Sequence, residues 1–198
     1  VEHFRGMFAF ALWDRNRATL FLARDRLGIK PLYYAELDDA SVIFASEMKA
    51  LLAHPRLKRT VDSQAVEDYF AYGYVPEPRT IFRSVKKLPP GHTLTLRRGH
   101  AVPAPRQYWD IPFKAGAPLS LADAQHELIE RLTEAVRIRL VAEVPLGAFL
   151  SGGVDSSAVV ALMAGLSDKP VNTCSIAFDD PQYNEAPYAE LVAQRYHT

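Results

Sequence analysis

Cysteine is almost absent: the 198 residues hold one, Cys174. One thiol excludes an internal disulfide and any cysteine-based metal cluster, and it fits a reducing, cytoplasmic setting. Neither charge is in excess, because 23 Lys and Arg residues balance 23 Asp and Glu residues. That balance argues against a nucleic-acid partner, which would call for a basic surplus or stripe. No apolar run approaches the ~18 residues of a membrane span. The start lacks the basic, apolar and small-residue order of a secretory signal. The six histidines are scattered and show no metal-ligand spacing. A Gly-Lys-Ser/Thr triplet is missing, which excludes a Walker-type phosphate loop.

What is present is ordinary globular material, with 48% apolar and 23% charged residues. The length suits one domain or two small ones. Val1 is not Met, and the run after Phe4 is at once apolar and aromatic, so the chain is expected to begin inside a domain.

Residues 4–60 read as β-rich. Short apolar runs at 7–13, 19–23, 32–35 and 42–45 are separated by polar turns, which suggests two hairpins. Helices are expected at 47–53, stopped before Pro55, and at 63–72, behind the capping residue Asp62. Eight of the 14 prolines fall between Pro76 and Pro118. Periodicity fades there apart from an alternating strand-like run at 93–97, so 73–118 reads as an irregular connection between domains 1–72 and 119–198.

From Ser120 the pattern becomes alternating helix and strand. Leu128, Leu132, Ala135, Val136 and Leu140 share a helical face. Beyond them come a strand at 146–150, a helix at 156–165, a strand at 171–178 and a helix at 185–196. Strands separated by helices imply βαβ units with a parallel sheet. The chain stops soon after one such unit, and a cut C-terminus is expected.

The chemistry sits between the first of these strands and its helix, in Leu150, Ser151, Gly152, Gly153, Val154, Asp155, Ser156 and Ser157. The carboxyl end of a strand is where open α/β sheets bind ligands. Two glycines let the backbone turn sharply and approach a bulky anion. The amides and dipole of the next helix attract that anion, and three serines offer hydroxyl donors. Asp155 would repel a bare phosphate. It makes sense with Mg²⁺ between carboxylate and phosphate. As a plain turn and helix start, the same residues would need none of this chemistry.

The run from Ser151 to Ser157 resembles the pyrophosphate-binding loop of the ATP pyrophosphatases. Val144-Pro-Leu-Gly-Ala-Phe-Leu before it narrows the resemblance to the asparagine synthase branch, as do Cys174-Ser-Ile-Ala-Phe, Tyr183-Asn-Glu and Tyr188-Ala after it. Phe4-Arg-Gly-Met-Phe-Ala-Phe-Ala-Leu-Trp-Asp, Arg24-Asp-Arg-Leu-Gly-Ile-Lys-Pro-Leu-Tyr-Tyr and Phe44-Ala-Ser-Glu-Met-Lys-Ala-Leu are similar to the later part of the class II glutaminase domain.

The resemblance implies an incomplete Ntn-type α+β glutaminase sandwich, followed by an incomplete HUP-like α/β ATP-pyrophosphatase domain. It implies a glutamine-hydrolysing enzyme that makes asparagine from aspartate through aspartyl-AMP, with release of AMP and pyrophosphate. Glutamine, aspartate and ATP are then the small-molecule substrates, Mg²⁺ the metal, and a homodimer is left open. Ser151 to Ser157 would bind the β,γ-phosphates and Asp155 would hold Mg²⁺. Leu150 and the strand-end residue Phe178 would border adenine and ribose. The glutaminase cysteine would lie upstream of Val1, and Cys174, in an apolar strand, is expected to be a buried structural thiol. A second acidic loop would lie beyond Thr198, so no catalytic set is complete in the chain.

Two other readings stay open. Val154 with Asn172-Thr-Cys-Ser-Ile also resembles amidotransferases associated with exopolysaccharide and exosortase loci, which act on another carboxylate. A non-enzymatic interaction protein on the same fold is the third reading, opposed by the intact loop. Arg24, Asp25 and Arg26 read as a structural turn, and the pairs Lys86-Lys87 and Arg97-Arg98 as solvated loop charge.

Overall fold

The computed structural model describes residues 1–113, 116 and 118–198, in two compact units, Val1–Lys114 and Ala115–Thr198. In the first unit, β1 (Ala9–Asp14) and β2 (Thr19–Arg24) form a hairpin, as do β3 (Tyr33–Glu36) and β4 (Val42–Ala45). Helices α1 (Met48–Leu52) and α2 (Ser63–Tyr72) come next, then β5 (Val85–Lys87), β6 (His92–Arg97) and β7 (Arg106–Gln107). All strand pairs here are antiparallel, in sheets of order β1-β2-β6-β7 and β4-β3-β5.

The alternation of β3 places these sheets. Successive strand residues point to opposite faces. Tyr34 packs with Leu22, Leu94 and Leu96 from the larger sheet, whereas Ala35 packs with Leu51 of α1, Leu57 and Val85. The small sheet therefore lies between the larger sheet and a helical layer. Asp62 caps α2 through the Gln64 N–H, and Gly73, in the left-handed region, ends it.

The stretch 73–118, expected to be mostly irregular, supplies three strands, and β6 lies inside the four-stranded sheet against β2. Leu94 and Leu96 fill the main core, so tertiary pairing overrides the prolines around them. Residues 114, 115 and 117 of that stretch lie outside the described residues.

The turn after β2 is held by its own charged side chains. Asp25 is 1% exposed, and its carboxylate accepts from the amides of Phe8, Leu27, Ile29 and Lys30 at 2.9 to 3.3 Å. Arg24, also buried, donates to the carbonyls of Gly28, Lys30 and Leu88 and to the Glu77 carboxylate, at 2.7 to 2.8 Å. These groups are consumed in shaping the turn, which is the structural reading expected of them.

The β3–β4 turn carries a second knot. Asp39, on the surface, accepts from the Ser41 hydroxyl and amide and from Arg56. Chiefly the Ser41 hydroxyl, then its amide, hold the Asp39 carboxyl at about 2, below its ordinary 3.8. A carboxyl lowered by folding stabilises above its ordinary value, and that contribution disappears as the pH falls through about 2. A carboxyl-carbon titration by NMR should place Asp39 there, and Ser41→Ala should raise it. A midpoint near 3.8 in the parent would contradict the geometry.

The second unit holds α3 (Leu121–Arg137), β8 (Gly147–Phe149), α4 (Val154–Leu166), β9 (Asn172–Cys174) and α5 (Ala186–Tyr196). Ser120 caps α3 by accepting from the Asp123 N–H. Strands β8 and β9 pair in parallel, Gly147 with Asn172 through Phe149 with Cys174. Leu150, Val160 and Ala189 form the unit's core, with Ala148, Val192 and Ala193 against it. The molecule is thus mixed α/β, with antiparallel sheets in one unit and a two-stranded parallel pair in the other.

Two expectations fail at β9. The strand stops at Cys174 rather than 178, because its partner β8 ends at Phe149 and the chain then turns into the loop. Cys174 is exposed, not buried, as is Phe149 opposite it. That face of a two-stranded sheet has nothing packed over it within the described unit, so an apolar-looking strand keeps its thiol at the surface. Among the described residues, no helix is long and apolar enough to cross a membrane.

Candidate phosphate-binding loop

Strand β8 delivers the chain into the loop through Leu150, which is 2% exposed and seals the unit's core. Its N–H donates to the Cys174 carbonyl at 2.9 Å, and its carbonyl accepts from the Ser175 hydroxyl at 2.6 Å. Gly152 then takes φ +79°, a conformation that side chains disfavour. Helix α5 presses on this turn so closely that a Cβ on Gly152 would sit 2.4 Å from Tyr188 Cβ and 2.6 Å from Ala189 N. Gly153 differs. It precedes α4 with φ −70° and ψ 160°, which any residue adopts, and a Cβ there would meet only Ser151 Oγ at 3.3 Å.

Helix α4 begins at Val154, two residues earlier than expected, so Asp155 lies in its first turn. The serines fold onto the loop. Ser151 Oγ and Ser156 Oγ are 2.9 Å apart, Ser151 Oγ accepts from the Gly153 amide, and Ser156 Oγ donates to the Gly153 carbonyl. Ser157 Oγ is buried without a hydrogen-bond partner in the structure. Ser151, Gly153, Val154 and Asp155 are exposed. Chemically, this is an exposed turn at a helix N-terminus that carries three hydroxyls and is entered from a buried strand end. Such a turn favours an anion.

The structure brings Leu150 through Ser157 into this one turn. Phe178 stands apart from it in sequence, four residues past the end of β9, and is 54% exposed; it is not the strand-end residue expected. The cause is again the lack of a strand partner beyond Cys174. Sequence reasoning passed over Ser175, whose hydroxyl bond spans 25 positions, and the wedge of Tyr188 and Ala189 on Gly152. Neither contact leaves a local sequence signal, although Cys174-Ser and Tyr188-Ala both belong to the resemblance.

Fit to Mg²⁺ can be judged from the donors. No group of three or more His, Cys, Asp or Glu among the described residues could hold a metal ion. The loop therefore offers one carboxylate, Asp155, at an exposed helix start. One carboxylate with phosphate oxygens completing the sphere is the usual way Mg²⁺ binds beside a nucleotide. The residues fit a metal that arrives with its phosphate rather than one caged by protein.

Comparison with known proteins agrees along the chain. Residues 1–109 match a glutamine amidotransferase domain, and residues 127–198 match asparagine synthase. Asparagine synthetase (glutamine-hydrolyzing) 3 of Bacillus subtilis is 39% identical over 91% of the chain, and asparagine synthetase (glutamine-hydrolyzing) 1 of the same organism is 35% identical over 96%. Amidase chry2 of Gibberella zeae is 40% identical over 84%. The chain spans 30%, 29% and 24% of the lengths of these three relatives.

Proposed function

The chain belongs to the glutamine-hydrolysing asparagine synthase family, and from that premise we propose that its protein is an ATP-dependent amidotransferase that makes asparagine from aspartate. The observation that carries this reading is the loop from Leu150 to Ser157: buried strand end, left-handed Gly152, hydroxyl lining and helix start. In this reading the first unit is an Ntn-type glutaminase sandwich and the second a HUP-like ATP-pyrophosphatase domain, in a cytoplasmic enzyme.

The chemistry would run in two balanced steps. An aspartate side-chain oxygen attacks the α-phosphorus of ATP, the bond to the β-phosphate breaks, and pyrophosphate leaves. Ammonia, released when water hydrolyses glutamine to glutamate, then attacks the acyl carbon of aspartyl-AMP; AMP departs with the bonding pair and the proton lost from nitrogen passes to solvent. Mg²⁺, held by Asp155 when bound, would supply positive charge beside the leaving pyrophosphate. The loop amides, with Ser151, Ser156 and Ser157, would orient the β,γ-phosphates, and this fixed polar cradle favours the charge that develops on them. Asp155 would hold the metal from the first turn of α4. Leu150 and Phe178 remain proposed neighbours of adenine and ribose.

Supplied with glutamine, aspartate and Mg·ATP, the protein should release AMP and pyrophosphate one-for-one with asparagine. ADP as the product would overturn the reading, whereas AMP formation with a different carboxylate alone would move the same chemistry to another acceptor. Asp155→Asn should weaken Mg·pyrophosphate binding by at least about tenfold in calorimetry, since a charge-assisted contact is worth roughly 1.5–3 kcal/mol. Unchanged affinity would remove Asp155 from the site.

A further inference from the structure

We propose that Ser175 is a positioning residue for the phosphate loop, acting through the carbonyl of Leu150; the ligand side of this inference rests on the proposed function. Leu150 is where the β8–β9 ladder ends. The last register pair is Phe149 with Cys174, and the Leu150 amide makes one further bond to the Cys174 carbonyl. The Leu150 carbonyl is then taken by a side chain, the Ser175 hydroxyl, at 2.6 Å. Both polar groups of the residue that opens the loop are thus tied to the same neighbouring segment.

The tie acts on the residues next in the chain. Ser151 presents its amide and hydroxyl to Ser156, and after it comes the left-handed Gly152. From Gly152 onward the turn is braced by Tyr188 and Ala189 on α5. The entry side is braced by Ser175. A buried carbonyl that lost its donor would rotate in search of another partner, and the peptide plane that carries this carbonyl also carries the Ser151 N–H. Rotation of that plane would pull the Ser151 N–H off Ser156 Oγ and so shift the two serine hydroxyls that line the turn. Ser175 needs no contact with the ligand to control its affinity.

Three versions of the protein separate this role from mere support of the fold: the parent, Ser175→Ala and Ser175→Thr. Threonine keeps the hydroxyl, and position 175 is exposed, so its extra methyl has room. Inorganic pyrophosphate with Mg²⁺ is the probe, titrated by calorimetry, with hydrogen exchange and thermal melting tracked in parallel. Ser175→Ala should weaken pyrophosphate binding by about fivefold, the factor that one neutral hydrogen bond supplies. It should speed amide exchange at residues 151–153 more than in the rest of the unit, beyond what any fall in the melting midpoint accounts for. Ser175→Thr should return both readings to within about twofold.

Parent-like binding and exchange in Ser175→Ala would overturn the proposal. So would a loss spread over the whole unit in step with melting, or one that threonine fails to rescue. If the parent binds no pyrophosphate, yet exchange at 151–153 rises in the alanine variant and falls again with threonine, the positioning role stands and the phosphate reading falls.

Discussion

Gly152→Ala should abolish ATP-dependent amide synthesis, with a loss of at least about 100-fold, while glutamine hydrolysis stays near the parent value. Two effects act together. The left-handed backbone at φ +79° costs any side chain about 1–2 kcal/mol. The added Cβ would also lie 2.4 Å from Tyr188 Cβ and 2.6 Å from the Ala189 amide, and α5 would have to shift to admit it. A displaced turn misdirects every donor of the cradle, and the loss of even one such donor costs about 10²–10³ in rate. Gly153→Ala is the control. Its backbone is ordinary and its nearest new contact is the Ser151 hydroxyl at 3.3 Å, so its loss should stay below about fivefold, the scale of a poorer helix cap. Ammonia-dependent assays keep the glutaminase out of the comparison. Equal losses in the two variants would mean that the turn does not set the site.

The second large effect concerns folding of the first unit. Asp25→Ala would leave four amides, those of Phe8, Leu27, Ile29 and Lys30, without their acceptor beneath a side chain that is 1% exposed. Leu27, Ile29 and Lys30 are exposed residues whose amides water can partly reach, so each lost bond costs nearer the ordinary ~1 kcal/mol than a full burial penalty, and we expect about 2–4 kcal/mol in all. That is a large fraction of the roughly 5–15 kcal/mol that holds a domain together. Denaturant unfolding monitored through the tryptophans should show the shift. Asp25→Asn, with one acceptor oxygen in place of two, should fall between. A loss under about 1 kcal/mol for Asp25→Ala would show that water satisfies the turn equally well.

Much of this architecture is legible from residue order, for local reasons. Strands β2 and β3 are apolar runs that turns interrupt, and α2 carries its cap and its terminating glycine in sequence. The strand–turn–helix from Gly147 through α4 is legible because its residue types serve a short-range geometry. Strand β5 is not legible: Val85, Lys86 and Lys87 read as a basic loop, and only pairing with β3 makes them a strand. The exposure of Cys174 was equally hidden, since burial depends on what covers a strand rather than on its own composition. Ser175 escapes for the same reason as Tyr188. Each acts on a backbone atom more than twenty positions away.

The two-sided packing of β3 has a consequence for how this region can change. Tyr34 and Ala35, adjacent in the chain, serve different cores. Inserting or deleting a single residue inside the strand would exchange their faces, sending a phenol toward Leu51 and a methyl into the space between the sheets. Both cores would fail in one event, where an ordinary edge strand would spoil one. Length variation in this hairpin is therefore confined to the turn around Asp38, Asp39 and Ala40, and the four residues of β3 behave as an indivisible word in the sequence, open to substitution but closed to a change of length.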